Sequence, residues 1–217
     1  MATPKQGYFL KDGTRVPGTT TIIGRFKDSG ALIWWAWNEG KEGRDYRETS
    51  RKAADAGTIG HAFVEAHIKG LPAPTFPEVD PAIVAKAEAA FGAYRSWADQ
   101  SKLEIFEQEI QLVSEQHRFG GTPDAIGYLD GKLCLIDWKT SNAVYADYLM
   151  QLAAYKVLWE ENRPEYPITG GYHLCRFAKE HGDFAHHYYP NLDEAWQQFL
   201  LFRQAYDLDK QLKKRAA

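Results

Sequence analysis

Hydrophobic residues recur at helical spacing in five stretches of the chain. In residues 81–102, alanines and larger apolar residues repeat every three or four positions, and Pro81 stands in the first turn, where a helix tolerates it. The same periodicity, with stop signals such as Gly70 and Pro72, predicts helices at 31–39, 62–69, 144–161 and 192–214. The chain therefore predicts a helical N-terminal portion over residues 16–101 and a helix at its C-terminal end.

Shorter apolar runs between these helices predict strands. They cover residues 103–114, 121–128, 132–138, 168–177 and 184–189, and residues 16–23 form a further short extended segment. Turn residues at 129–131 and 180–183 predict two hairpins. The resulting order of helix, three strands, helix and strand occupies residues 81–190 and is typical of an α/β protein.

Composition restricts the function classes. With 217 residues and 44% hydrophobic content, the chain can bury one substantial core, so we expect a single domain over residues 1–217. The net charge of −3 offers no general attraction to a polyanion, so nucleic-acid binding would need a local surface. No GxxxxGK[ST] loop occurs, which argues against a nucleotide cofactor.

The cysteines and the apolar runs indicate the cellular setting. Only Cys134 and Cys175 occur, which is too few for a disulfide scaffold or for four thiolate ligands of an iron–sulfur cluster. No run of about 18 apolar residues and no signal peptide is present, so we expect no membrane association. A soluble protein of the cytoplasm fits these features best.

Two carboxylates and a lysine lie on predicted adjacent strands. Along a strand, side chains alternate faces, so Asp137 and Lys139 share one face while Trp138 points to the other. The turn at residues 129–131 brings Asp124 towards Asp137. Hard oxygen ligands of this kind suit Mg²⁺ or Mn²⁺ better than zinc. The segment therefore predicts a metal-dependent phosphodiesterase.

The same residues resemble the motifs of the PD-(D/E)XK nuclease superfamily. Pro123-Asp124 stands where that family has its PD, and Asp137-Trp138-Lys139 stands where it has (D/E)XK. Gln151 and Tyr155 fit the QxxxY helix of its RecB-like exonuclease branch, and His61 fits the upstream histidine of that branch. The resemblance spans residues 16–177 and implies a central mixed sheet flanked by helices, in a member without an iron–sulfur cluster.

The resemblance also implies roles for individual residues. Asp124, Asp137, the main-chain carbonyl of Trp138 and His61 would hold one or two Mg²⁺ or Mn²⁺ ions. Glu109 would complete the shell through water, although Glu107 is an alternative. Lys139 would position the attacking water. The two residues of the QxxxY helix, Gln151 and Tyr155, would contact the DNA backbone or hold the strand that carries the lysine.

The implied activity is that of a metal-dependent DNA exonuclease that leaves 5′-phosphates. It would act in phage or bacterial DNA recombination, repair or replication, in the cytoplasm of a bacterial or phage-infected cell. A single-strand-annealing protein or a replication or recombination protein could be its partner. Three alternatives stay open: a structure-specific endonuclease, a catalytically inactive nucleic-acid-binding module, and a metal enzyme for another phosphoester.

Other conspicuous residues have plainer interpretations. Trp34, Trp35 and Trp37 are predicted to pack in the core, and stacking on unpaired bases is the alternative. Glu65 either orients His61 or faces solvent, and Arg176 and Lys179 either contact phosphate or are solvated. His186 and His187 are interpreted as structural, because adjacent residues of a strand point to opposite faces.

Overall fold

A five-stranded mixed sheet forms the centre of the fold. The structure is a computed structural model that describes residues 7–178 and 183–216. Its strands are Glu104–Gln108 (β3), Ala125–Leu129 (β6), Lys132–Thr140 (β7), Tyr172–Phe177 (β8) and Phe184–Tyr189 (β9), numbered along the whole chain. They lie side by side in the order β3-β6-β7-β8-β9, and only β7 and β8 run parallel to each other. The predicted α/β class with a mixed central sheet is confirmed.

Helices cover both faces of this sheet. Their bounds are Thr19–Arg25 for α1, Gly30–Lys41 for α2, Tyr46–Ile68 for α3, Pro81–Gln100 for α4, Ala146–Asn162 for α5 and Asp193–Ala216 for α6. Helix α5 packs on one face together with α1 and α6, while α3 and α4 pack on the other. Within the described residues, no helix has the length and apolar character needed to cross a bilayer.

The hairpin between β6 and β7 sets the register of the sheet centre. Asp130 and Gly131 both have positive φ angles, 47° and 77°, which is the conformation of a two-residue type I′ turn. Leu129 pairs with Lys132 across this turn, and Ala125 pairs with Ile136 further along. The predicted hairpin is confirmed, and it places Asp124 at the end of β6 beside the Asp137 region of β7.

Strand β7 is buried on both faces. Leu133 and Leu135 pack into the cluster that contains α5, whereas Cys134, Ile136 and Trp138 pack into the cluster beneath α3 and α4. This explains the nearly continuous apolar run that predicts a buried strand. Because the alternation continues beyond Ile136, Asp137 and Lys139 lie on the α5 face.

Residues 16–23 were expected to be extended, and that prediction is wrong. Only Arg15–Val16 form strand β2, which pairs with β1, Tyr8–Phe9, and α1 begins at Thr19. The β-branched residues of this segment have a low helix propensity. Tertiary contacts outweigh that propensity, because Ile22 is fully buried and the Thr19 hydroxyl donates to the carbonyl of Gly120 at 3.0 Å.

The predicted strand over residues 103–114 is divided into two strands of different sheets. Strand β3 ends at Gln108, and β4, Leu112–Ser114, pairs instead with β5, Phe119–Gly121. The break falls at Glu109, which has a left-handed φ of 49°. A register shift between Ile105 and Glu107 further interrupts the alternation. Glu107 therefore lies within β3, whereas Glu109 lies beyond its end, so the two acids do not share a strand face.

Helix α3 is much longer than the predicted helix at residues 62–69. It begins at Tyr46, within the charged stretch, because the Asp45 carboxylate caps it by accepting from the Arg47 N–H at 2.9 Å. Helices α4, α5 and α6 agree with the predicted helices to within about two residues at each end. The predicted turn at residues 180–183 lies outside the described residues except for Asp183.

The prediction that the tryptophans of α2 pack in the core is wrong for two of the three. Trp34 and Trp37 are exposed, and so are Leu32 and Ile33. Trp35 is half-buried and packs edge-on against Tyr46 of α3, with ring centroids 6.4 Å apart. The helix therefore presents a large apolar surface to solvent.

Candidate active site

Asp124 is held at the start of β6, at the end of the hairpin away from the turn. It directly precedes β6, and its side chain is almost completely buried. Its Oδ2 accepts a hydrogen bond from the main-chain N–H of Trp138 at 2.8 Å. The sequence folds this way because the type I′ turn holds the two strands in register. The Asp124 carboxylate is therefore tied to the strand that carries Asp137 and Lys139.

Asp137 and Lys139 form an ion pair on the α5 face of β7. Lys139 Nζ lies 2.6 Å from Asp137 Oδ2, so the two charged groups are in direct contact. Asp137 is fully buried, and the side chain of Lys139 is 17% exposed. Asp137 and Lys139 lie on the same face of the strand, as the alternation of side chains predicts.

The charges of this cluster are incompletely compensated. Burial, and then the negative charge of Asp124, raise the pKa of Asp137 to about 7, although Lys139 opposes both effects. Burial likewise raises the pKa of Asp124. Burial acts to lower the pKa of Lys139, but the two carboxylates outweigh it and the net direction is upward. Two buried acids thus share the single positive charge of Lys139, so the cluster has an excess of negative charge that a further cation would neutralise.

Two carboxylate oxygens of this cluster have neither a hydrogen-bond nor an ion-pair partner among the described residues. They are Asp124 Oδ1 and Asp137 Oδ1. Buried polar atoms without partners are costly, and hard oxygen donors suit Mg²⁺ or Mn²⁺. The donor set therefore fits a divalent cation. Within residues 7–178 and 183–216, however, no group of three or more histidine, cysteine or acidic side chains lies close enough to form a complete metal shell.

His61 lies on α3 and is electrostatically coupled to the cluster. Burial, with a smaller contribution from the charge of Lys139, lowers the pKa of His61 to about 4, although Asp137 acts in the opposite direction. The imidazole is therefore neutral near pH 7, which is the form that binds metals. Its role as a ligand stays a prediction. Glu65, one turn later, forms a surface ion pair with Lys69 and is more than half exposed.

Glu109, rather than Glu107, lies beside Asp124. The main-chain N–H of Glu109 donates to the carbonyl of Asp124 at 3.1 Å, and the charge of Glu109 helps to raise the pKa of that aspartate. The side chain of Glu109 is exposed. Glu107 instead lies 3.7 Å from the guanidinium of Arg163, at the end of α5. Of the two acids, Glu109 is the one positioned to act through water, and that role stays a prediction.

Gln151 and Tyr155 are buried partners on α5. The Gln151 Nε2 donates to the Tyr155 hydroxyl at 2.8 Å, and both side chains are at least nine-tenths buried. Burial raises the pKa of Tyr155 well above its usual value, and the charges of Asp137 and Asp124 add to that effect. The pair therefore lies within electrostatic reach of the acids and does not form an exposed helix surface.

The remaining predicted residues are engaged elsewhere. Arg176 pairs in register with Lys139, but its guanidinium donates to the Ser141 carbonyl and to Asp183, each at 3.1 Å. Lys179 lies outside the described residues. His186 and His187 point to opposite faces of β9, and His186 Nε2 lies 2.8 Å from His173 Nδ1, so the structural interpretation of the histidines fits their contacts.

Sequence reasoning missed several residues around the cluster. Lys139 Nζ lies 5.5 Å from the ring centroid of Tyr148, which precedes Gln151 by three positions on α5 and so shares its face. The Tyr8 hydroxyl lies 3.0 Å from Thr122 Oγ1, close to Asp124 in sequence. A Cβ at Gly121 would come within 2.6 Å of the Tyr155 ring. The helical spacing could have identified Tyr148, but only the fold reveals the contact with Tyr8.

Comparison with known proteins identifies a family. A family model described as the PD-(D/E)XK nuclease superfamily matches residues 34–214, a span that contains every predicted site residue. No curated protein sequence matches the chain.

Two of the solved structures to which this chain is similar are distant in sequence. A protein of Eubacterium rectale, provisionally named an exonuclease, has a TM-score of 0.49 and 13% sequence identity over 67% of this chain. The chain spans 64% of the length of that protein. A protein named SSO0001 has a TM-score of 0.34 and 19% identity over 57% of each chain. At these scores neither resemblance bears on activity.

Proposed function

Because this chain belongs to the PD-(D/E)XK nuclease superfamily, we propose that it is a DNA exonuclease that depends on Mg²⁺ or Mn²⁺ and leaves 5′-phosphates. We assign it to the RecB-like branch on the basis of Gln151, Tyr155 and His61. Its context would be phage or bacterial DNA recombination, repair or replication, in the cytoplasm of a bacterial or phage-infected cell. A single-strand-annealing, replication or recombination protein would be its partner, and a single domain over residues 1–217 would carry the activity.

One observation carries this proposal. Asp124 and Asp137 each present one buried carboxylate oxygen that has no partner in the described structure, and the ammonium group of Lys139 lies 2.6 Å from the other oxygen of Asp137. A structural ion pair alone would not need a second buried acid. The combination is what hydrolysis of a phosphodiester requires, namely anionic oxygen donors and a cation at the same point.

Each residue of the cluster has a separate task. When bound, a divalent ion would supply charge neutralisation on the scissile phosphate and a water of lowered pKa. Asp124 and Asp137 would hold that ion, with the carbonyl of Trp138, His61 and Glu109 as the further ligands proposed. Lys139 would orient the water and stabilise the negative charge that develops on the phosphate oxygens. Gln151 and Tyr155 would fix the α5 side of the cleft and contact the DNA backbone.

Substrate form tests the exonuclease assignment. We expect rapid digestion of linear DNA labelled at either end in Mg²⁺ or Mn²⁺, and no digestion of covalently closed circles. Products should carry 5′-phosphates. Rapid cutting of closed circles would instead identify a structure-specific endonuclease, and the absence of cleavage of every DNA form would leave a binding module.

Lys139→Ala tests the assignment of the site. The loss of a charged group that acts in the transition state is expected to lower the cleavage rate by about 100-fold or more. Lys132→Ala is the matched control, because Lys132 is an exposed lysine at the opposite end of the same strand. Equal rates for wild type and Lys139→Ala would refute the proposed site. In the same assay, an undiminished metal dependence of His61→Ala would remove His61 from the ligand set.

A further inference from the structure

The outer face of α2 combines two exposed indole rings with a lysine. Trp34 is 65% exposed and Trp37 is 57% exposed, and they lie one turn apart on the same side of the helix. Lys41, one turn after Trp37, places its Nζ 4.5 Å from the centroid of the Trp37 ring. Ile33 adds a further exposed apolar side chain to this face.

This exposure contrasts with the other tryptophans of the chain. Trp138 and Trp159 are buried, and Trp97, Trp196 and Trp35 are at least half-buried. The inner side of α2 is used in the usual way, since Glu39 is buried and Trp35 packs against α3. Two large aromatic rings left in water on one helix face are unusual in a protein that can bury its other indoles.

The start of α2 is tied to the candidate active site. Lys27, in the segment before the helix, forms a 2.8 Å ion pair with Asp147 in the first turn of α5. The next residue of α5, Tyr148, lies 5.5 Å from Lys139 Nζ. The segment that leads into α2 is therefore connected through Lys27, Asp147 and Tyr148 to the lysine of the site, and the twelve residues of α2 give a helix about 18 Å long.

Charge does not explain this face. Between residues 27 and 48 the chain carries four basic and five acidic side chains, and Arg44 is paired with Glu39 and Glu42. A surface of this kind neutralises few phosphates. Aromatic rings with an adjacent cation instead match the flat faces of nucleobases, each of which contributes stacking energy without base-specific hydrogen bonds.

We propose that Trp34 and Trp37 stack on bases of an unpaired DNA strand that leads into the candidate active site, so that single-stranded DNA, or a single-stranded end, is the substrate form. This inference rests on the proposed nuclease function and specifies its substrate. A duplex offers no free base faces to this helix, because its bases stack on each other. The face is therefore selective for unpaired DNA through geometry and not through sequence.

Binding without cleavage provides the test. Fluorescence anisotropy of a labelled 20-nucleotide oligothymidine, and of a blunt duplex of equal length, is measured in EDTA so that neither probe is digested. Trp34→Ala and Trp37→Ala are each expected to weaken oligothymidine binding by about tenfold or more, and to leave duplex binding within about twofold of wild type. Because both side chains are exposed, circular dichroism and thermal melting should match wild type.

Matched variants separate stacking from simple apolar contact. Trp34→Phe and Trp37→Phe keep a ring and should retain most of the affinity, whereas Trp34→Leu and Trp37→Leu should lose as much as alanine. Tyr188→Ala removes an aromatic residue of similar exposure, 53%, from β9 and should bind like wild type. Leucine variants that bind oligothymidine like wild type would overturn the proposal, and so would a duplex preference of the wild-type protein.

The test also separates this inference from the nuclease proposal. Cleavage of linear DNA with unchanged oligothymidine binding in both alanine variants would refute the role of α2 and leave the nuclease function intact. Tryptophan-dependent binding by a protein that cuts no DNA would support the role of α2 and refute the nuclease function. Size-exclusion chromatography without DNA tests whether this face binds a second copy of the chain instead. A wild-type dimer that is lost in Trp34→Ala/Trp37→Ala would overturn the proposal.

Discussion

Helices α5 and α2 are both rich in apolar residues, yet they use these residues in opposite ways. Helix α5 buries nearly all of them, including Leu152, Leu158 and Trp159, which have no exposed surface. Helix α2 leaves Trp34 and Trp37 more than half exposed. A similar run of apolar residues can therefore support the core in one helix and present a surface in another.

The position of each helix in the fold explains this difference. Helix α5 connects the parallel strands β7 and β8, so it must lie across the sheet, and α6 and α1 cover its other side. Helix α2 has its main packing contact with α3 alone. A helix with one neighbour buries one side only, and the side chains on its free side are then available for binding.

The largest effect should appear when one tryptophan is removed from each helix. Trp159→Ala leaves a cavity and an unpartnered carbonyl at Tyr166, to which the indole N–H donates at 2.7 Å, so it should lower the free energy of unfolding by about 3–5 kcal/mol. Trp34→Ala should change it by less than about 0.5 kcal/mol. Urea denaturation measures both, and a loss above about 2 kcal/mol in Trp34→Ala would contradict the exposed position of this residue.

Metal binding should stabilise the strand that faces α5. Mg²⁺ or Mn²⁺ in excess is expected to raise the free energy of unfolding of the wild-type protein by about 1–3 kcal/mol relative to EDTA, because it binds only the folded carboxylate pair. Asp137→Asn removes one buried charge, so its melting temperature in EDTA should equal or exceed that of wild type. The gain on metal addition should then disappear. A wild-type melting temperature that ignores both metals would contradict the predicted metal site.

The buried pair on α5 should show coupling. Gln151→Leu leaves the Tyr155 hydroxyl without its partner, and Tyr155→Phe leaves the amide without its own, so each should cost about 1–3 kcal/mol. The double variant should cost less than the sum of the two. Thermal or urea unfolding of all four proteins forms the cycle, and strict additivity would show that the 2.8 Å hydrogen bond contributes nothing to stability.

The smallest effect should come from the hydrogen bonds that the Glu39 carboxylate of α2 accepts from Arg44 and from Thr49 of α3. Hydrogen bonds from Arg44 and Thr49 lower the pKa of Glu39 to about 2. A carboxyl group with a lowered folded pKa stabilises the protein above its unfolded value of about 4.5, and this contribution is lost as the pH falls towards 2. Glu39→Gln should therefore destabilise the protein slightly at pH 7 and not at pH 2. Thermal melting at both pH values measures this difference. An equal effect at pH 7 and pH 2 would show that the ionised form of Glu39 contributes nothing to stability.

Local sequence signals predicted the parts of the site that depend on neighbouring residues. The Asp130-Gly131 turn fixes the β6–β7 register, so Asp124 and Asp137 could be placed together from sequence, and period-two alternation placed Lys139 beside Asp137. Local signals gave the wrong secondary structure where contacts with a distant segment outweigh local propensity. Burial of Ile22 and the contact of Thr19 with Gly120 make a helix of a segment with strand propensity.

By itself, the sequence determined the order of helices and strands, the hairpin and the cluster of Asp124, Asp137 and Lys139, because these follow from side-chain periodicity and turn chemistry over short distances. The mixed sheet was implied by the resemblance of the motifs to a family. Only the tertiary structure decided that Glu109 and not Glu107 lies beside Asp124, that Gln151 and Tyr155 are buried against each other, and that Trp34 and Trp37 face solvent. Burial depends on which distant elements cover a face, and no local pattern along the chain contains that information.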